Sequence, residues 1–132
     1  MKLRCFIGAI LFLMLAACHR PVDTACTSSH PELVAIDTLM KTRPDSALIL
    51  LQAFPKEDPY YQLLLFEALY KNDSAQLNRP ELLEAMAYYD SLDCPFLSAR
   101  CHYMNGVGYY ESDSVVEACE EYLKALEIME EQ

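Results

Sequence analysis

Basic side chains are scarce in this sequence of 132 residues: ten Lys and Arg stand against twenty Asp and Glu, a formal net charge of −10. A surface of that sign repels phosphate backbones and anionic headgroups, which excludes nucleic acid as a partner. Glycine-rich phosphate loops, CxxC pairs and a serine set in a nucleophile elbow are all missing. Their absence removes the cradle for a nucleotide, the usual turn for zinc and the usual activated hydroxyl. No stretch reads as a strand and none is of low complexity. These absences leave an all-α chain of one domain at most.

The 53% apolar content is shared between a leader and a core. Lys2 and Arg4 form a positive end, Phe6 to Leu15 is an apolar run too short to span a bilayer, and Ala16-Ala17 are small residues at a cleavage point. Leu15-Ala16-Ala17-Cys18 resembles the bacterial lipobox, in which the cysteine is acylated and becomes the new N-terminus. The resemblance implies a leader over 1–17, lipidation at Cys18 and attachment to a membrane. His19-Arg20-Pro21 follows with no acidic run, so the expected location faces the periplasm. Removing the leader takes two cations, leaving eight against twenty carboxylates, a net of −12. Residues 18–29 are polar and aperiodic and read as a tether, with the folded domain at 30–132.

In the last third, Val115, Ala118, Tyr122, Ala125, Leu126 and Met129 recur at amphipathic-helix spacing after a first helix over Ala99–Glu111. The short polar link Glu111-Ser112-Asp113-Ser114 turns the two antiparallel, and Ser114 with Glu117 predicts a capping box. Upstream, Ala47-x3-Leu51-x2-Phe54 and Ala85-x3-Tyr89-x2-Leu92 repeat the beat of Ala118-x3-Tyr122-x2-Ala125. Each copy follows an amphipathic helix. Helix starts are predicted at Ser29-His30-Pro31-Glu32, at Pro44, after Pro59 and at Asn78-Arg79-Pro80-Glu81.

Gly106 with Tyr109 and the three alanine beats resemble the tetratricopeptide repeat, with His102 where that family prefers tryptophan and Glu130 where it prefers proline. The whole pattern resembles the N-terminal part of lipoprotein-anchored tetratricopeptide proteins common in Bacteroidetes. The resemblance implies a right-handed α-solenoid of about three antiparallel helical hairpins whose first helices line a groove. Carried over residue by residue, it places Gln62, Leu65, Leu69, Asn72, Arg100, Tyr103, Val107 and Tyr110 in that groove, facing a protein or peptide partner. The lysine and asparagine set of the family's carboxylate-clamping members is missing, so recognition of a peptide C-terminus is not implied.

Cys26, Cys94, Cys101 and Cys119 remain after the leader and Cys18 are set aside. Cys101 and Cys119 are out of register across their hairpin, and buried free thiols are the expectation, with Cys26 uncommitted in the tether. Cys94, Cys101 and His102 lack metal-ligand spacing, and no cofactor or catalysis is expected. Val116, Cys119, Leu123 and Ile128 widen the apolar arc of the last helix, which implies self-association or further repeats there. The leading expectation is a lipid-anchored periplasmic scaffold that binds protein or peptide. The alternatives are a truncated N-terminal sensor region of a larger signalling protein and, more remotely, a small hydrolase using His102.

Overall fold

The computed structural model describes Cys26, residues 30–74 and residues 76–132. The leader, the lipobox cysteine Cys18 and the rest of the tether lie outside the described residues. Within them the chain is all-helical: α1 (Pro31–Met40), α2 (Pro44–Leu51), α3 (Pro59–Lys71), α4 (Arg79–Asp90), α5 (Pro95–Glu111) and α6 (Val115–Glu130), with no strand. None of the described helices is long and apolar enough to cross a membrane.

Proline opens five of the six helices, at the first or second helical position. Its fixed φ suits that turn, and its missing N–H is one the helix would leave unpaired. Asp58 caps α3 by accepting from the backbone N–H groups of Tyr60 (2.8 Å) and Tyr61 (3.3 Å). The two caps expected at Asn78 and Ser114 are not formed. Ser114 spends its N–H on the Tyr109 carbonyl (2.9 Å), closing the turn, so Glu117 has no donor to reach back to. Asn78 instead donates its side-chain amide to the Gln62 carbonyl (3.2 Å).

The α3–α4 and α5–α6 connections begin alike. Asp73 (φ 53°) and Asp113 (φ 58°) adopt the left-handed conformation just past the helix end. Ser74 and Ser114 then donate to the carbonyls of Leu69 and Tyr109. This double closure satisfies the last carbonyls of each helix, and aspartate tolerates the left-handed position better than most residues.

Each helix packs against its successor. In addition α1 packs on α3 and α3 on α5, while α2, α4 and α6 do not touch one another. α1, α3 and α5 therefore form a continuous layer, which is why α3 is buried nearly all round and α6 buries only Ala118 and Ala125. All three beat alanines, Ala47, Ala85 and Ala118, are buried, and Leu51 and Tyr89 fill the core beside them. Leu92 departs from the pattern and is exposed.

α5 and α6 approach tightly at Gly106. A Cβ there would sit 2.5 Å from a ring carbon of Tyr122 and 3.2 Å from the Ala118 carbonyl, whereas at Gly108 the nearest atom is 3.4 Å away. Gly106→Ala is therefore expected to destabilise by about 1–3 kcal/mol through overpacking, despite alanine's helix preference. Gly108→Ala should be neutral or stabilising by up to about 1 kcal/mol. Urea melts of the two variants side by side test the assignment; equal effects would count against it.

The cysteine expectation is overturned at one position. Cys94 is not a free thiol: it is bonded to Cys26, 68 positions away in the sequence, with the two Cα atoms 5.6 Å apart. The chain ahead of α1 returns to the α4–α5 junction, a contact between distant segments that pairings within one hairpin could not reveal. Cys101 and Cys119 are free, the first buried and the second exposed.

Candidate functional site

A cleft of about 940 Å³ runs across α1, α3 and α5. Val34, Asp37 and Lys41, spaced three and four apart, put one face of the α1 segment into it; Tyr60, Glu67 and Lys71 come from α3; Phe96, Arg100 and Met104 come from α5. Cys26, Cys94, Met129 and Gln132 border it as well. Its walls are thus apolar and aromatic with a few charges set among them, the composition of binding clefts in general.

Arg100 lies at the centre of the charges. Its Nη1 and Nη2 donate to the two carboxylate oxygens of Asp37 at 2.8 and 2.6 Å, and its Nε donates to Glu67 Oε1 at 2.6 Å. Nη2 donates in addition to Glu67 Oε2. Tyr60 Oη donates to Asp37 Oδ2 at 2.6 Å. A guanidinium suits two carboxylates at once because its donors form a rigid fork. Burial pushes the Asp37 carboxyl up, but the hydrogen bonds and charge of Arg100 outweigh it and hold the group below its ordinary 3.8. Burial and the bond to Asp37 push the Tyr60 hydroxyl well above its ordinary range. Asp37, Glu67 and Arg100 come from α1, α3 and α5, so one cation ties these three helices together.

Of the eight groove residues implied by the sequence, Arg100 alone is among those lining this cleft. The Arg100 guanidinium is engaged by Asp37 and Glu67. Gln62 is buried and donates to the Lys56 carbonyl at 3.3 Å. Asn72 donates to the carbonyls of Pro44 (3.0 Å) and Ala68 (2.7 Å), which ties the start of α2 to the end of α3. Val107 is buried, Leu65 and Leu69 are half-buried, and Tyr103 and Tyr110 are exposed. The cleft residues that sequence reasoning missed come from α1, α3 and α5 alike, and at the first of these the face shared by Val34, Asp37 and Lys41 was the available signal.

His102 is buried and held from both sides. Its Nδ1 lies 2.6 Å from Glu121 Oε2 and its Nε2 lies 3.2 Å from both oxygens of Asp90. Ser98 donates its hydroxyl to Asp90 rather than to the imidazole. With both nitrogens facing carboxylates and the ring 1% exposed, the ring offers no open edge to a substrate. Burial, reinforced by the charges of Asp90 and Glu67, pushes the nearby Cys101 thiol far above its ordinary range, away from the reactive thiolate. What this arrangement does is join α4, α5 and α6. Among the described residues no three His, Cys, Asp or Glu side chains gather as a metal-binding group.

A second hollow of about 760 Å³ lies beside Phe66, Arg79 and Gly108. Arg79 is held there, with its guanidinium carbon 3.8 Å from the centre of the Tyr109 ring and its Nε donating to Asn105 Oδ1 at 3.3 Å. No protein-family model matches the chain, and no curated protein and no solved structure matches it significantly.

Proposed function

We propose that the six helices are three tetratricopeptide-type hairpins stacked as a right-handed solenoid, and that the protein is a lipid-anchored periplasmic scaffold that binds a protein or peptide without catalysis. The observation that carries this reading is the cleft of about 940 Å³ walled by the first helix of each hairpin. The layer of first helices, the buried alanines and the matching aspartate turns support the repeat assignment. Val34 and Phe96 are exposed along the cleft and give a partner apolar anchors, while Lys41 and Lys71 favour an acidic group between them.

The anchor bears on the orientation of this cleft. Cys26 lies eight positions after Cys18, a reach of about 28 Å when extended. With Cys26 bonded to Cys94 at the cleft border, an acylated Cys18 keeps that border within the same distance of the bilayer.

The test is photo-crosslinking in the native envelope, with the reactive residue placed at Phe96 in the cleft or at Ile49, which is exposed on α2. A discrete adduct from Phe96, lost on adding Val34→Asp and missing from Ile49, is the expected result. Membrane fractionation of Cys18→Ser tests the anchor, and release into the soluble fraction is expected. Identical adducts from both positions, or none from Phe96, would overturn the binding assignment.

A further inference from the structure

Arg79 and Arg100 are held in opposite ways. Two carboxylates, those of Asp37 and Glu67, meet the charge of Arg100. Arg79, half-buried at the start of α4, is held by neutral groups: the Tyr109 ring lies under its guanidinium, and the buried Asn105 accepts from its Nε. Gly108 leaves room for it against α5, where a Cβ alone would stand 3.7 Å from Arg79 Cδ. A ring face and an amide oxygen fix a guanidinium in place without cancelling its charge. Among the described residues Arg79 forms no ion pair, and its Nη1 and Nη2 have no acceptor on the protein. It lines the hollow of about 760 Å³ between the end of α3, the start of α4 and the end of α5. Asp73 and Glu111 line the same hollow without pairing with it.

We propose that this hollow binds a small organic monocarboxylate, received end-on by Nη1 and Nη2 of Arg79. The two terminal nitrogens form a fork that matches the two oxygens of a carboxylate, and the ring and the amide hold that fork ready before the ligand arrives. The charge of the ligand follows from the lining. Arg79 and Lys71 face Asp73 and Glu111 across the hollow, so one negative charge is accommodated, whereas a dianionic phosphate ester sets a second charge beside two carboxylates. Phe66, Tyr70 and Leu77 also line the hollow and supply apolar surface for the body of the molecule. The site is independent of the cleft assignment. Lys71 alone borders both, so the test leaves Lys71 unchanged.

The probe is 3-phenylpropionate, titrated into the purified protein by calorimetry and, with nitrogen-15 label, by following the Arg79 Nε–H resonance. Saturable binding that shifts this resonance is the expected result. The amide 3-phenylpropanamide lacks the charge and acetate lacks the apolar body, and each should bind at least about tenfold more weakly. Phenyl phosphate should also bind more weakly than the carboxylate. Arg79→Lys keeps the charge but loses the fork, and should weaken binding about tenfold. Because Arg79 also packs on Tyr109, circular dichroism checks that this variant is folded, and a second variant leaves the arginine intact. Glu111→Gln, at an exposed position, removes a like charge from the hollow and should tighten the carboxylate about two- to fivefold while leaving the amide unchanged. The proposal is overturned if 3-phenylpropionate does not saturate, if it saturates without moving the Arg79 resonance, or if the amide binds as tightly. An affinity unchanged in Glu111→Gln, or tighter binding of phenyl phosphate, would overturn it as well.

Discussion

Replacing Arg100 by alanine is expected to lower the unfolding free energy by about 3–5 kcal/mol, because it strands two largely buried carboxylates, Asp37 and Glu67, with no cation. The cost comes from the charges left behind more than from the attraction lost. A triple replacement, Asp37→Asn with Glu67→Gln and Arg100→Met, removes those charges together and should therefore be less damaging than Arg100→Ala alone. The pH dependence carries a further signature. With Arg100 present, the Asp37 carboxyl is held below 3.8, so its contribution is complete above that value and is lost as pH falls through the folded-state value. With Arg100 removed, burial is opposed only by the Tyr60 hydrogen bond and the charge of Lys41, so the Asp37 carboxyl rises from its place in the parent. The stability that this group adds above its folded-state value then shrinks, and acidification costs the variant less than the parent. Urea melts of parent and variant between about pH 3 and pH 7 measure both slopes, and parallel curves would count against the network.

Reducing the bond between Cys26 and Cys94, or replacing Cys26 by serine, should lower stability by about 4 kcal/mol in the chain-entropy account of a 68-residue separation. The bond joins the segment ahead of α1 to the start of α5, so it closes a loop that includes four of the six helices. Opening it enlarges the unfolded ensemble, and the denaturant slope should rise along with the drop in midpoint. The same reductant applied to Cys26→Ser should have little effect, because Cys101 and Cys119 are already free. An unchanged midpoint for the parent protein under reduction would show that the bond contributes nothing.

The local half of this structure was legible in the sequence. Pro31, Pro44, Pro59 and Pro80 mark helix starts because the ring suits a first turn, whereas the fifth helix starts at Pro95, four residues before the expected Ala99. The spacing of Ala47, Ala85 and Ala118 marks the faces that turn inward. The candidate site was less so. Arg100 stood out as a groove residue, but the partners that engage it, Asp37 and Glu67, lie 63 and 33 positions away on other helices. Helical periodicity says which residues share a face and says nothing of which face meets which. The caps at Asn78 and Ser114 failed for a related reason, since a longer-range bond from Asn78 to Gln62 and a turn closure at Ser114 took up the groups that a cap would use.

Taken by itself, the order of residues determined that this chain is helical, where its helices begin, and that its surface is strongly acidic. Those properties follow from contacts within about a turn and from composition, which the folded arrangement leaves unchanged. Only the tertiary structure decided that Arg100 spans three helices, that Cys26 meets Cys94, and that His102 lies between Asp90 and Glu121. Each of these depends on how the helices pack on one another. That packing is set by the combined shape of many side chains from distant segments.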